Sequence, residues 1–286
     1  MSFKEQYNNI LTVVKSDIER VNSELISFIN LDEPLKSKLI EFLTSPSKRI
    51  RPLLMFLFLR ANNIEINERH YTLATAIELV HNASLIHDDI IDNSKVRRTI
   101  KTLNFEFDNK LAVIAGDYLL SVALHKISLL NSPETIDMFA NTLSMMCDGE
   151  TFQYFNKYKI PTLENYIKKS EQKTAKLFET ALKSSFLISN SDIADKAENF
   201  GKNFGIAFQI RDDLINAKTS QSDISDGIYT APVIYSNSID NLSSGIEKTF
   251  CLLNNYIDRA KQNLQKIEDN KYKQALLELL EIYSNE

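Results

Sequence analysis

Apolar residues recur at helical spacing along nearly the whole chain, and this regularity decides most of what it can fold into. The runs Ile10 to Ile29, Leu35 to Leu43, Arg51 to Asn62, Leu73 to Asp92, Leu111 to Leu130 and Pro133 to Phe155 all follow the helical period. Ile193 to Ala217 does the same, and Ile246 to Tyr283 reads as a helix pair. Thr162 to Ile188 is either one long helix or a broken one. No convincing set of alternating segments predicts strands. Only six glycines and six prolines punctuate the 286 residues, and no Ser-rich or charge-rich tract forms a linker. The expectation is an all-α, single-domain helical bundle over residues 1–286, arranged around a central cavity.

Composition narrows the function classes. With 43% hydrophobic and 25% charged residues the chain can bury a large core. A net charge of −5 argues against a nucleic-acid surface. Cys147 and Cys251 lack metal-ligand spacing and read as buried, reduced thiols of a cytoplasmic protein. Met1 to Gln6 carries no signal-peptide pattern, and the longest apolar run, Leu53 to Leu59, is too short to span a bilayer.

The chemistry concentrates in His81-Asn82-Ala83-Ser84-Leu85-Ile86-His87-Asp88-Asp89-Ile90-Ile91-Asp92 and the Arg97-Arg98 pair that follows. On a helix, positions 81, 88 and 92 fall within about 40° of one another. Asp88 and Asp92 therefore face one point, where two carboxylates repel unless a cation sits between them. A hard divalent cation such as Mg²⁺ suits them, since it keeps positions open for water and phosphate. A solvated acidic face is the plainer alternative, but Leu85-Ile86 and Ile90-Ile91 make this stretch apolar. Asn93-Ser94 can end the helix and let Arg97 and Arg98 fold back, where their planar forks suit phosphate oxygens. His87 points about 120° from His81 and reads as a supporting residue.

A second acidic stretch, Phe208-Gln209-Ile210-Arg211-Asp212-Asp213-Leu214-Ile215-Asn216, places Asp212 and Asn216 one turn apart, with Gln209 one turn earlier. Two acidic helix ends facing across a cavity could hold several Mg²⁺ ions around one diphosphate. Lys48-Arg49-Ile50-Arg51-Pro52 lies at a helix start, where free backbone N–H groups favour anions. Alone it would read as a solvated cap, and Lys173-Thr174 as an exposed pair. Lys218 follows the second acidic stretch closely.

Taken together and in order, these pieces resemble the trans-isoprenyl diphosphate synthases (polyprenyl synthetase family), over nearly the whole chain. Ser47-Lys48-Arg49-Ile50-Arg51-Pro52 resembles the family's Gly-Gly-Lys-Arg-x-Arg-Pro, and His81 through Arg98 resembles its first aspartate-rich motif. Gly116-Asp117-Tyr118-Leu119-Leu120, Gly149-Glu150 with Gln153, and Lys173-Thr174-Ala175 recur in sequence, as does the second motif ending in Asp212-Asp213. Asp223-Ile224, Gly227, Thr230 and Pro232 resemble its usual tail. The resemblance implies a prenyltransferase joining isopentenyl diphosphate to an allylic diphosphate. It implies that Lys48, Arg51, His81 and Arg98 hold the isopentenyl diphosphate. Arg97, Lys173, Thr174, Gln209 and Lys218 would contact the allylic partner. Asp88, Asp92 and Asp212 would ligate three Mg²⁺ ions, and the protein would be a homodimer.

Three departures from the pattern stand out. Pro46-Ser47 replaces the glycine pair, Asn216 replaces the last aspartate of the second motif, and Ile228 stands where a second lysine is usual. The segment from Asp213 to Asp223 is also short. Less positive charge then faces the allylic diphosphate, which leaves a non-catalytic or regulatory subunit of a heteromeric synthase as an alternative. Small residues at Ala83 and Ser84, one turn before Asp88, leave room beneath the metals and favour products of C20 or longer. Bulky aromatics there would instead indicate a C15 farnesyl diphosphate synthase. Phe139 is the candidate floor of the cavity. A terpene cyclase would not need Lys48, Arg51 and His81, while head-to-head squalene-type synthases are excluded less firmly.

Overall fold

The computed structural model describes residues 2–285. Five helices build the first part: α1 (Phe3–Thr12), α2 (Lys15–Ser27), α3 (Leu35–Thr44), α4 (Ile50–Ala61) and α5 (Glu68–Ile91). A two-stranded ribbon follows, β1 (Val96–Arg97) against β2 (Ile100–Lys101), antiparallel with Arg97 opposite Ile100. Next come α6 (Leu103–Glu106), α7 (Asn109–Ser128), α8 (Pro133–Phe155) and α9 (Leu163–Ser170). A π-helical turn, Glu171–Ala175, leads into α10 (Lys176–Leu187). The chain closes with α11 (Ala194–Lys218), α12 (Ser222–Ser225), α13 (Ala231–Ser236), α14 (Ser243–Gln262) and α15 (Lys271–Ser284).

The centre of the bundle is α4. Every residue of it except Arg60 is buried, as expected of a helix that is apolar all round. It packs on α5, α10 and α15, while α5 pairs with α7 and α10 with α11. Phe58 meets Phe186 edge-on and tilts against Phe200, and Phe178 sits between Phe204 and Phe208. Each such fully buried phenyl ring contributes roughly 2–3 kcal/mol of transfer free energy.

Several expectations need correction. Ile10 to Ile29 is two helices, because the chain turns at Val13–Val14 and Val14 leaves the helical region (φ −129°, ψ 30°). The turn keeps Ile10, Val14 and Ile18 all in the core. The first helix starts earlier than its apolar pattern, at a capping box in which Ser2 and Glu5 satisfy each other's backbone N–H groups. Thr162 to Ile188 is one continuous course with a π-turn inside it. Both cysteines are exposed rather than buried, each on the outward side of an amphipathic helix. One helix, α7, is long and apolar enough to cross a membrane by length and composition. Its inner residues Ala112, Ala115, Leu119 and Ala123 are buried, and α5 is its chief packing neighbour.

Candidate active site

Two polar cavities open beside α4, α5 and α11. One is basic. Its volume is about 290 Å³, and its wall includes Lys48, Arg49, Arg51, Glu78, His81, Arg98 and Phe208. The loop before α4 shapes it. Arg49 adopts a left-handed backbone (φ 50°) and turns its side chain inward, where it ion-pairs with buried Glu78 at 3.0 Å. Arg49 also donates from Nε to Asn22 at 2.8 Å and from its other amino group to the Leu43 carbonyl. Its fork is thus committed to the fold. Tyr7 donates to the Lys48 carbonyl at 2.7 Å, clamping the loop from α1.

The remaining cations are presented differently. Arg51 is buried with its guanidinium 4.4 Å from the Phe178 ring centre, and its Nε has no hydrogen-bond acceptor. Burial pulls it down to about 10, still fully charged at neutral pH. Burial, with Arg51, Arg98 and Arg49 around it, holds His81 well below its ordinary range. His81 is therefore a neutral hydrogen-bonding group in a cationic pocket. Arg98 comes from the ribbon turn, where Arg98 and Thr99 both have positive φ (50° and 71°), the signs of a type I′ turn. That turn usually takes Asn or Gly, so holding arginine there is strained.

The second cavity is about 170 Å³ and mixes charges. Asp92, Lys169, Lys173, Asp213 and Asp223 line it, with Thr174, Gln209 and Ile228. Asp92 reaches it from the end of α5, which closes in a Schellman motif, and Asp88 stands one turn earlier on that helix. Asn93 takes φ 51°, Ser94 N–H bonds the Asp89 carbonyl at 2.9 Å, and Asn93 N–H bonds Ile90 at 3.3 Å. Burial pushes Asp88 up to about 6, with Lys173 pulling the other way and Glu150 and Asp92 adding to the rise. Burial raises Asp92 as well, with Lys173 opposing and Glu150 and Asp226 adding to the rise. Lys173 ion-pairs with Glu150 and is the principal positive charge acting on both aspartates.

Two glycines make this arrangement possible by close approach. A Cβ on Gly205 of α11 would lie 2.5 Å from the Ala175 Cα, and one on Gly149 of α8 would lie 3.0 Å from the Lys173 nitrogen. The π-turn is thus gripped from both sides, and π-turns recur at functional sites. Its Thr174 hydroxyl donates to Gln209 Oε1 at 2.6 Å. The Gln209 amide donates to Asp213 at 2.8 Å, and the buried Tyr166 hydroxyl donates to the other Asp213 oxygen at 2.6 Å. Opposite, the Tyr158 N–H bonds the Gly227 carbonyl at 2.7 Å. Gly227 has φ +74°, and a Cβ there would strike the Tyr158 ring at 2.7 Å, so only glycine fits.

The residues picked from sequence separate into groups. Lys48, Arg51, His81 and Arg98 share the basic cavity, and Asp92, Lys173, Thr174 and Gln209 share the mixed one. Arg97 donates to Asp89 at 2.7 Å, an acid the motif reading left without a role. Asp212 stands on the basic side: desolvation pushes its carboxyl up to about 6, and Lys48 opposes this most strongly. Lys218 is exposed and lines neither cavity. Asn216 organises the following loop, donating to Ser222 at 2.7 Å and accepting from the Asp223 N–H at 3.3 Å. His87 lies over Gly116, with Nε2 3.5 Å from Asp117. Ala83 is buried, and Ser84 turns its hydroxyl onto the His81 carbonyl at 2.8 Å. Phe139 is fully buried on α8, and none of these three lines either polar cavity.

Sequence reasoning passed over Lys169, Asp213 and Asp223 as site residues. Lys169 is one turn before Lys173, and Asp213 one turn after Gln209, so helical spacing from known members could have found both. Among the described residues no three His, Cys, Asp or Glu side chains already converge as a metal cage. The donors are nonetheless hard oxygens, and the Asp92 carboxylate adds to the rise of Asp88. Such a set suits divalent ions that share their coordination with a diphosphate.

Residues 33–271 match the model of the polyprenyl synthetase family. A prenyl transferase of Cyanophora paradoxa is 36% identical over 241 residues, covering 79% of this chain and 75% of that protein. A decaprenyl-diphosphate synthase of Dictyostelium discoideum is 29% identical, covering 98% of this chain and 72% of its own length. In fold, the chain superposes on a decaprenyl diphosphate synthase from Rhodobacter capsulatus with a TM-score of 0.89 at 23% identity, covering 97% and 98% of the two chains. A polyprenyl synthase from Caulobacter crescentus, solved with calcium and isoprenyl diphosphate, also gives 0.89, at 22% identity and 98% coverage of both. The paired cavities thus belong to a prenyltransferase, and the chain is a member of the polyprenyl synthetase family of trans-isoprenyl diphosphate synthases.

Proposed function

We propose that this prenyltransferase condenses isopentenyl diphosphate with an allylic diphosphate, with Mg²⁺, giving a linear all-trans polyprenyl diphosphate of C20 or longer. The observation that carries the reading is the pairing of a predominantly cationic cavity with a second, carboxylate-and-lysine cavity. Arg51, Lys48, Arg98 and neutral His81 would bind the isopentenyl diphosphate without a metal. Asp88, Asp92 and Asp212 would hold Mg²⁺, which when bound offsets the charge growing on a departing diphosphate. Lys173 would contribute a fixed positive charge to the same diphosphate, and the hydrogen-bonded Thr174 and Gln209 would supply oxygen dipoles near the allylic carbon. The allylic C–O bond breaks, the isopentenyl double bond forms the new C–C bond, and the released diphosphate takes the departing proton. Relatives named decaprenyl and solanesyl diphosphate synthases support a long product, as do the small Ala83 and Ser84. An apolar strip of Val113, Ile114, Leu124 and Leu129, exposed along α7 and its end, supports a homodimer.

A second reading, a subunit needing a partner, draws on Asn216 being committed to its own loop and on Ile228 in the cavity wall. Incubating purified protein with Mg²⁺, isopentenyl diphosphate and C5 to C20 allylic primers separates the two. A ladder reaching C20 or beyond by mass spectrometry is expected, shortened by Ser84→Phe. A C15-only product would remove the small-residue argument, and no product from folded protein would favour the partner-dependent subunit.

A further inference from the structure

Lys169 has no part in the reading so far, yet it is the most deeply placed ammonium in the mixed cavity. It is only 8% exposed, against 26% for the Lys173 side chain across the same space. Its one hydrogen-bond acceptor among the described residues is Gln153 Oε1, at a long 3.4 Å. The Tyr166 ring lies under it, 5.5 Å from its centre. An ammonium carries three donors, and burying it so sparsely paired is costly. The charges that face it are Asp213 from α11, Asp223 from α12, Glu150 from α8 and Lys173 from the π-turn, none of them in ion-pair contact with it. Burial accordingly shifts Lys169 downward, against the attraction of Asp213 and Asp223.

The opposite wall matters as much. Ile228 lines the same cavity as Lys169, and Lys218 lies outside it. The cavity therefore draws its positive charge from α9 and the π-turn, one helical turn apart, and none from the loop after α11.

We propose that Lys169 is a binding residue for the allylic diphosphate, supplying from α9 the positive charge that the post-α11 loop lacks in this chain. The inference rests on the prenyltransferase reading above and adds a residue to it. With diphosphate present, the ammonium gains the acceptors that the protein alone withholds, and Lys169 and Lys173 flank the anion.

The test uses the full chain with Mg²⁺ and farnesyl thiodiphosphate, an allylic analogue that ionises poorly, followed by calorimetry. Lys169→Met keeps the length and apolar stem, and is expected to weaken binding by about tenfold or more. Adding Ile228→Lys to that variant is expected to restore most of the loss, because it returns a cation to the same space. Melting temperature is read in parallel without ligand. A lysine kept only to neutralise Asp213 and Asp223 would lower it sharply when removed, whereas an ammonium waiting for an anion leaves it unchanged or raised. Unchanged affinity in Lys169→Met overturns the proposal, as does a large fall in melting temperature with no rescue by Ile228→Lys. Wild-type protein that binds the analogue but makes no product would count against the catalytic reading and leave this comparison intact.

Discussion

The two cavities solve the same electrostatic problem in opposite ways. In the basic one the charge is built into the fold. Arg49 is locked by Glu78, Asn22 and a carbonyl, Arg51 is buried, and Arg98 is held by a strained turn, so an anion meets a finished site. In the mixed one the carboxylates outnumber what lysines neutralise, and Asp88 and Asp223 are each pushed up to about 6 by burial. Preorganised cations can bind a diphosphate as it is, whereas carboxylates need ions first. On the proposed function, that difference would let the site distinguish the diphosphate that must leave from the one that must stay.

The largest way to break that contrast is Asp88→Ala. Turnover should fall by ~10³-fold while binding of isopentenyl diphosphate changes little, because the loss is confined to the ion-dependent side. Steady-state rates with both substrates varied check this, and an equal loss of affinity for both diphosphates would mean that the cavities are not separate. Arg51→Gln is the converse. It should raise the KM for isopentenyl diphosphate by ~10–100-fold and leave that for the allylic substrate nearly unchanged. The smallest effect is in pH. Asp88, Asp212 and Asp223 titrate near 6 in the fold against an ordinary 3.8. The native state thus holds protons that the unfolded chain has released, so the metal-free fold loses stability as pH rises through that window. Protons also compete with the metal. The increase in melting temperature caused by Mg²⁺ with inorganic diphosphate should be present at about pH 7 and fade below about pH 6. An increase that persists at about pH 5 would place the ions elsewhere.

How much of this was legible in the sequence depended on the range of the signal. Helices with an apolar stripe announce themselves through period alone, and α3, α5, α7, α8 and α11 lie close to where the pattern puts them. The break at Val13–Val14 did not, since apolar residues continue across it and only the change of direction keeps them buried. The helices α6, α12 and α13, each under two turns, are too short to show a period. At the site, acids at one-turn spacing pointed to Asp88 and Asp92, but adjacent residues on a helix face different neighbours. Asp213, not Asp212, lines the cavity with Asp92, and no spacing within one helix can say which way α11 is turned. That was decided by Gly205, whose missing side chain brings α11 against the π-turn. Lys169 escaped notice because a lysine one turn from another looks like an ordinary solvated face until burial is known.

The ribbon between the cavities has a consequence of another kind. Arg97 grips Asp89, beside the first acidic pair, while the next residue, Arg98, lines the basic cavity. Adjacent residues of one ribbon thus tie the first acidic stretch to the basic cavity. Ala83, Ser84 and Phe139 line neither cavity. On the proposed function, substitutions there would lengthen or shorten the product while that tie stayed in place, so the ruler would be free to drift and the joint would stay fixed.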